Sequence, residues 1–342
     1  MNVQPLRDDF KYDSIDIDNP RFIANDQSGY ENRPNIMMEL VSTASIDGET
    51  FNIRTPVRHA GDGARIPMSG PLDAASEVKV VAVGGSQTWG QGVKAEQTFS
   101  SVFASHLSIP NRNYGVSGSG GASSYFILKQ KLAKISPKYV LYGFWEDHMN
   151  RNLRYCANNK FPVCSPLAYV SGTRENDFVL NPAKNSQVLI EDLGDFFRDM
   201  QRRPSLIGLP KDMYWTHRRL LRQLDEAINP LAYDKAPVER KIAASQFVLK
   251  NMAELTRKAG ASLIVVYIPL YFSDTIEAAN SVFLKTAKEN KFVFVDTTEV
   301  LRDMKEKNVP VFIEGDGHLS VSAHRAIAKE ILSRVGRSGS GR

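Results

Sequence analysis

The sequence predicts an α/β fold in which a central parallel sheet is covered by helices on both faces. Two observations carry this. Four apolar runs with little polar alternation, at 78–83, 139–144, 262–268 and 292–295, have the pattern of strands buried on both sides. Helical patterns stand between them, and parallel neighbours need such crossover connections.

The elements follow in order. Residues 1–76 scatter Pro, Gly, Asp and Asn among short apolar runs such as IMMELV (36–41), and are expected to form an irregular N-terminal arm. The run Val78-Lys79-Val80-Val81-Ala82-Val83 then ends in Gly84-Gly85, a buried strand entering a tight turn. A helix is expected over about Phe99–Leu107, and NYGVSGSGG (113–121) reads as a short strand breaking into a glycine-rich loop. A second helix covers about 122–134, and Tyr139–Phe144 is the next buried strand. The region 150–235 interrupts the rhythm and is expected to be an insertion, so the core comprises 77–149 and 236–335. A helix over about 321–335 closes that core, and GRSGSGR (336–342) is a tail.

Composition narrows the function classes. The chain has 342 residues, enough for one large α/β domain with additions. Hydrophobic residues make up 42% and charged residues 24%, as in ordinary globular proteins, and no stretch approaches the roughly 18 to 20 apolar residues of a membrane span. The polar stretch Met1–Tyr30 lacks the apolar centre of a signal peptide, so the chain is cytoplasmic or its export segment is not in this sequence. A net charge of +5 is mild for this length, although Arg202, Arg203, Lys211, Arg218, Arg219 and Arg222 cluster. Nucleic-acid binders usually show a stronger basic excess, so that cluster is not read as a nucleic-acid partner site. Cys156 and Cys164 are too few for a four-cysteine zinc site. They are close enough to form a disulfide, which would imply an oxidising compartment; two free thiols are the alternative.

Two loops carry candidate chemistry. In Gly84-Gly85-Ser86-Gln87-Thr88-Trp89-Gly90 a serine follows a buried strand, and in a parallel sheet functional groups gather at strand carboxyl ends. Small neighbours let a carbonyl approach, and the following N–H groups can face an oxyanion. The plainer alternative is a helix-capping serine; a phosphate cradle would ordinarily show GK[ST] or GxGxxG, and neither occurs here. In Asp316-Gly317-His318-Leu319-Ser320 a carboxylate stands two residues before an imidazole. A serine hydroxyl needs such a base, and the base needs a group to orient it. His324 is expected to pack or cap, and His59, His106 and His217 to be structural.

Taken together these segments resemble the SGNH (GDSL-like) hydrolases. VVAVGGSQTWGQGV (80–93) is similar to their GDSxTxG nucleophile block, with Gly85 where Asp is usual. NYGVSGSG (113–120) resembles the second block, and DGHLSVSAH (316–324) the last, with Asp two positions before His where three is common. The resemblance implies a flavodoxin-like three-layer α/β/α sandwich. It implies Ser86 as nucleophile, His318 as base, Asp316 as its orienting carboxylate, and an oxyanion hole drawn from the N–H groups of Ser86 and Gly118. No cofactor or metal is implied.

The third block departs from the family pattern. It normally ends in Asn-Asp, with the Asn donating to the oxyanion; here Asp147 falls at the Asn position and His148 follows. Three outcomes are open: His148 completes the oxyanion hole, Asp147 orients His148, or backbone donors act alone. The expected function is a serine-dependent ester hydrolase or O-acyltransferase acting on a small-molecule or glycan acyl ester, such as an acetylated cell-envelope carbohydrate. The expected setting is the periplasm or cell envelope, with any membrane association through a segment outside this chain. The alternative is a catalytically impaired carbohydrate-binding or scaffold protein on the same fold.

Overall fold

The structure is a computed structural model and describes residues 21–46, 49–69, 78–155, 166–183, 236–269 and 274–339. Its centre is a five-stranded, all-parallel sheet built from β5 (Val80–Gly84), β6 (Asn111–Asn113), β7 (Tyr139–Trp145), β10 (Ser262–Ile268) and β11 (Val293–Asp296). In space the strands run β6-β5-β7-β10-β11. Numbered along the chain within the sheet this is 2-1-3-4-5, the flavodoxin-like doubly wound order, so the fold class is the expected one. The strand order reverses between β5 and β7. Ligands of open α/β sheets bind outside the strand carboxyl ends at such a reversal.

Side-chain alternation across the sheet explains the unbroken apolar runs. Val81, Val83, Tyr142, Phe144, Val265 and Tyr267 face one core, with α3 (Gly121–Leu132), α5 (Val238–Lys258) and α6 (Asp274–Asn290). Val80, Ala82, Leu141, Ile264, Val266 and Ile268 face the other, with α2 (Phe99–His106), α7 (Thr298–Glu306) and α8 (Val321–Gly339). The residues of these apolar runs thus meet a helix layer on one side or the other, which leaves them no polar positions.

Two expectations are corrected. The arm assigned to 1–76 is not irregular over its described part: β1 (Phe22–Asn25) pairs with β2 (Gly29–Asn32), and β3 (Met37–Ile46) with β4 (Glu49–Arg58), both antiparallel. β1, β2 and β4 bury only part of their length and lack an apolar run, while β3 carries the short run within IMMELV; β4 is exposed over its first four residues and buried at its end. The tail expected from residue 336 is helical to Gly339, as a continuation of α8. Within the expected insertion, a short hairpin of β8 (Tyr169–Ser171) and β9 (Val179–Asn181) is described. Cys156, Cys164, His217 and the basic cluster from Arg202 to Arg222 lie outside the described residues.

A pair of glycines sets how closely the turn that carries Ser86 approaches the sheet. Gly84 and Gly143 are register partners in β5 and β7. Thr88 sits over both: a Cβ on Gly143 would lie 1.9 Å from Thr88 Oγ1, and one on Gly84 would lie 2.1 Å from it. Gly143→Ala therefore overpacks a rigid contact, and unfolding stability should drop by roughly 1–3 kcal/mol in urea titration. Adding Thr88→Ala should recover part of that loss, and additive losses would show that the clash is not the cause.

Candidate active site

Ser86 is the first residue of α1 (Ser86–Trp89), reached from β5 through the extended Gly85. Gly85, not Ser86, occupies the cap position, and it makes no side-chain capping bond. The Ser86 hydroxyl is directed elsewhere: His318 Nε2 lies 2.9 Å from Ser86 Oγ. His318 Nδ1 in turn donates to Asp316 Oδ2 at 2.9 Å. With the ring proton on Nδ1, Nε2 is the acceptor and the serine O–H is the donor. The structure thus brings together in one chain of hydrogen bonds three side chains drawn from loops 232 residues apart.

The loop carrying His318 is a tight construction. Ile313 N donates to His318 O at 2.7 Å, while Asp316 N and Gly317 N donate back to Ile313 O. Phe312 and Leu319 form an isolated bridge. The Asp316 side chain is 3% exposed and that of His318 is 14% exposed, so the imidazole is the more accessible of the two.

The glycine-rich second loop is tied to β5 at Gly84 O, which accepts from Val116 N at 2.9 Å and from Ser119 Oγ at 3.0 Å. Between these anchors Gly118 adopts φ +79°, a conformation for which glycine is suited. Asn113 spans the gap below: its Nδ2 donates to Thr88 O, and its Oδ1 accepts from Gly115 N. The N-terminal hairpin props the loop from outside. Tyr30 Oη donates to Ser117 O at 2.9 Å, Asn32 Nδ2 donates to Gly115 O at 2.9 Å, and Arg21 bonds the Ser117 hydroxyl. Sequence reasoning missed Tyr30 and Asn32, whose partners are backbone carbonyls more than 80 positions away.

The third block falls out differently from two of its three possibilities. Asp147 does not orient His148: its carboxylate accepts from Arg151 Nε at 2.7 Å and from Asn150 Nδ2 at 2.9 Å. Burial works to raise the Asp147 pKa, but the Arg151 charge and these hydrogen bonds outweigh it and hold the group below its ordinary value. The partner of His148 Nδ1 is the Tyr142 hydroxyl, at 2.9 Å. The opposite nitrogen, Nε2, is buried without a partner and lies 2.8 Å from where a Gly85 Cβ would stand. His148 therefore backs the turn that carries Ser86 and is fully buried there. Asn152, which follows α4 (His148–Arg151), accepts from Ala122 N at the start of α3 and donates to Ser245 Oγ.

The remaining described histidines have structural partners. His324 Nδ1 accepts from Phe99 N at the start of α2, and His59 bonds Arg33 O and Trp89 Nε1. His106 Nδ1 lies 2.8 Å from Val102 O one turn earlier. Among the described residues no group of three or more His, Cys, Asp or Glu is arranged to hold a metal ion.

No family model matches the chain, and no curated protein matches it by sequence. Solved structures do. One is the psychrotrophic esterase EstA from Pseudoalteromonas sp., 11% identical over 78% of this chain and 100% of its own, with a TM-score of 0.41. A second is a member of the lipolytic protein G-D-S-L family from Veillonella parvula, 11% identical over 76% and 99%, with a TM-score of 0.40. A third is a catalytic mutant of the acetylxylan esterase Axe2 from Geobacillus stearothermophilus, 14% identical over 77% and 95%, with a TM-score of 0.39.

Three buried histidines make the fold sensitive to acid. Burial, reinforced by nearby Arg21, Arg151 and Arg65 respectively, lowers His59, His148 and His324 from 6.5 to about 3. Between these values the unfolded chain binds protons that the folded chain refuses, so the stability they contribute is complete above about pH 6.5 and is lost as pH falls toward 3. Each should cost on the order of 2 kcal/mol at about pH 5 relative to pH 7. Urea midpoints should fall accordingly. His324→Asn, which keeps an acceptor for Phe99 N, should show a shallower fall; an unchanged slope would remove His324 from the account.

Proposed function

We propose that the chain is a serine-dependent ester hydrolase or O-acyltransferase with Ser86 as nucleophile. The observation that carries this is the hydrogen-bonded sequence Ser86 Oγ, His318 Nε2, His318 Nδ1, Asp316 Oδ2, with both links at 2.9 Å. Serine attack on a carbonyl requires a base on the hydroxyl and a partner that fixes the base's tautomer, and this sequence of contacts is suited to both tasks. A serine that merely capped α1 would have no use for the imidazole.

In the proposed reaction Ser86 Oγ attacks the ester carbonyl carbon while His318 Nε2 takes the hydroxyl proton. Asp316 stabilises the imidazolium that results. The tetrahedral oxyanion is received by backbone N–H groups of Ser86 and Gly118, the first at the start of α1 and the second in the loop anchored on Gly84. Collapse expels the alcohol, to which His318 returns the proton. Water or a second hydroxyl, activated by the same imidazole, then releases the acyl group from Ser86. Backbone donors take the oxyanion because the placement of His148 behind Gly85 keeps its ring from the substrate side. A small acyl group on a carbohydrate is the substrate class proposed, in keeping with the resemblance of the three sequence blocks.

The test is turnover of p-nitrophenyl acetate together with intact-mass labelling by a fluorophosphonate. Wild-type protein should add one phosphonyl group at Ser86. Ser86→Ala and His318→Ala should each lower kcat by at least about 10³-fold, and Asp316→Asn by a comparable factor through loss of the tautomer. Undiminished turnover by Ser86→Ala would end this reading.

A further inference from the structure

We propose that Gln87 is the positioning residue that sets the His318 imidazole against Ser86, by clamping the backbone on both sides of that histidine. The proposal rests on the nucleophile reading above and adds to it a residue that touches neither the reacting atoms nor the substrate.

Gln87 follows Ser86 in α1 and is 2% exposed. Its Nε2 donates to Gly317 O at 3.2 Å, and its Oε1 accepts from Leu319 N at 2.9 Å. One amide thus holds the carbonyl before His318 and the N–H after it, much as the edge of a paired strand would. The partners define the amide's orientation, since the flipped form would set NH2 against N–H and oxygen against oxygen. His318 O is held independently by Ile313 N at 2.7 Å, so the backbone is fixed before, at and after the imidazole.

The clamp has a mechanical consequence. Ser86 and Gln87 are adjacent residues of one helical turn, and that turn is seated on Gly84 and Gly143 through Thr88. Whatever displaces the turn carries the nucleophile and the grip on the histidine loop together. The hydroxyl-to-imidazole distance is thereby set within one connected unit, although the two loops are 232 residues apart. A buried amide is costly unless both its donor and its acceptor are used, and here both are used on the same loop.

Because Gln87 is shielded from open space, loss of the clamp should act on kcat and leave KM within about twofold; a misplacement near 1 Å costs up to about 10²-fold in rate. The test uses the full chain with Gln87→Leu, which retains volume and loses both bonds, and Gln87→Glu. Ionised, the glutamate keeps an acceptor for Leu319 N and turns an oxygen toward Gly317 O. Protonated, it regains a donor and an acceptor together. Phosphonate labelling of Ser86 is followed from about pH 5 to 8, with each variant rate divided by the wild-type rate; Glu314, Asp316 and His318, the titratable groups on the clamped loop, are common to all three proteins and enter both sides of the ratio. Deuterium uptake over 311–320 is measured in parallel.

Gln87→Leu should label about 10- to 100-fold more slowly at every pH, reach the same final stoichiometry and take up deuterium faster over 311–320. The Gln87→Glu ratio should climb toward one as pH falls, because protonation rebuilds the clamp. A Gln87→Leu rate within twofold of wild type, or a Gln87→Glu ratio flat with pH, overturns the proposal. If wild-type protein fails to label at Ser86, the nucleophile reading falls and this role for Gln87 with it, while the uptake comparison still separates an intact clamp from an absent one.

Discussion

The seating of α1 on the sheet is the constraint from which the site follows. A helical turn that carries a serine directly after a strand must lie against the strand ends, and side chains at 84 or 143 would hold it off. With glycine at both, Thr88 reaches the sheet, and a Gly143 Cβ would meet its Oγ1 at 1.9 Å. The turn is then low enough for Gly84 O to collect Val116 N and Ser119 Oγ, which draws the second loop alongside. Ser86 then directs its hydroxyl toward the loop of His318. Each contact in the site is a consequence of how deeply one short helix sits.

That depth creates a polar interior that must be satisfied. The carbonyls at the end of α1 and beyond, Trp89 O, Gly90 O and Val93 O, all accept from the buried Arg65 guanidinium. Trp89 itself lies between two guanidinium groups, with Arg65 at 4.0 Å and Arg21 at 4.2 Å from its ring. Leu40 and Val57 at the base of the β3–β4 hairpin pack on the same indole. The N-terminal segment is therefore part of the site's foundation: Arg65, just beyond β4, supplies the charge that closes the helix end, β2 supplies the Tyr30 and Asn32 bonds that brace the second loop, and the β3–β4 hairpin supplies the apolar contacts that bury Trp89.

Legibility in the sequence divides along physical lines. The strands β7 and β10 are readable because both faces are buried, which leaves no polar residue to interrupt Tyr139–Phe144 or Leu263–Ile268. The parallel arrangement then follows from the helices between them, and with it the prospect that chemistry gathers at the strand ends. The meeting of the loops around Ser86 and His318 is an inference of the same kind, from residue types at strand ends. The β1–β4 hairpins are hidden because they bury one end or one edge and keep the rest polar, a pattern shared with loops. Gln87 is hidden for a different reason. Its partners are the backbone of Gly317 and Leu319, and a bond to backbone leaves no trace in residue type. Tyr142, read only as part of a strand, belongs to the same group, since its bond to His148 depends on the turn after β7 folding back over it.

Two of the places where the chain departs from the resemblance that first suggested its chemistry are in contact with each other. Gly85 stands where an aspartate is usual, and the Asp147-His148 pair stands where Asn-Asp is usual. A Cβ on Gly85 would lie 2.8 Å from His148 Nε2 and 3.6 Å from its Cε1, so any side chain at 85 would require the ring to leave. The ring cannot leave readily, being stacked on Tyr142 at 5.8 Å, tilted against Phe144 at 6.3 Å and hydrogen-bonded through Nδ1. Glycine at 85 and histidine at 148 are thus one change made in two places: the space vacated in front of the ring is the space the ring needs. The burial that holds the ring there also keeps it neutral, with a pKa lowered to about 3, so the group behind the nucleophile turn brings no charge to it. An oxyanion formed above Ser86 would then face backbone N–H groups with a neutral aromatic wall behind them, an arrangement in which backbone donors replace a side-chain donor without an ionised carboxylate beside the developing charge, because Asp147 is turned away and paired with Arg151.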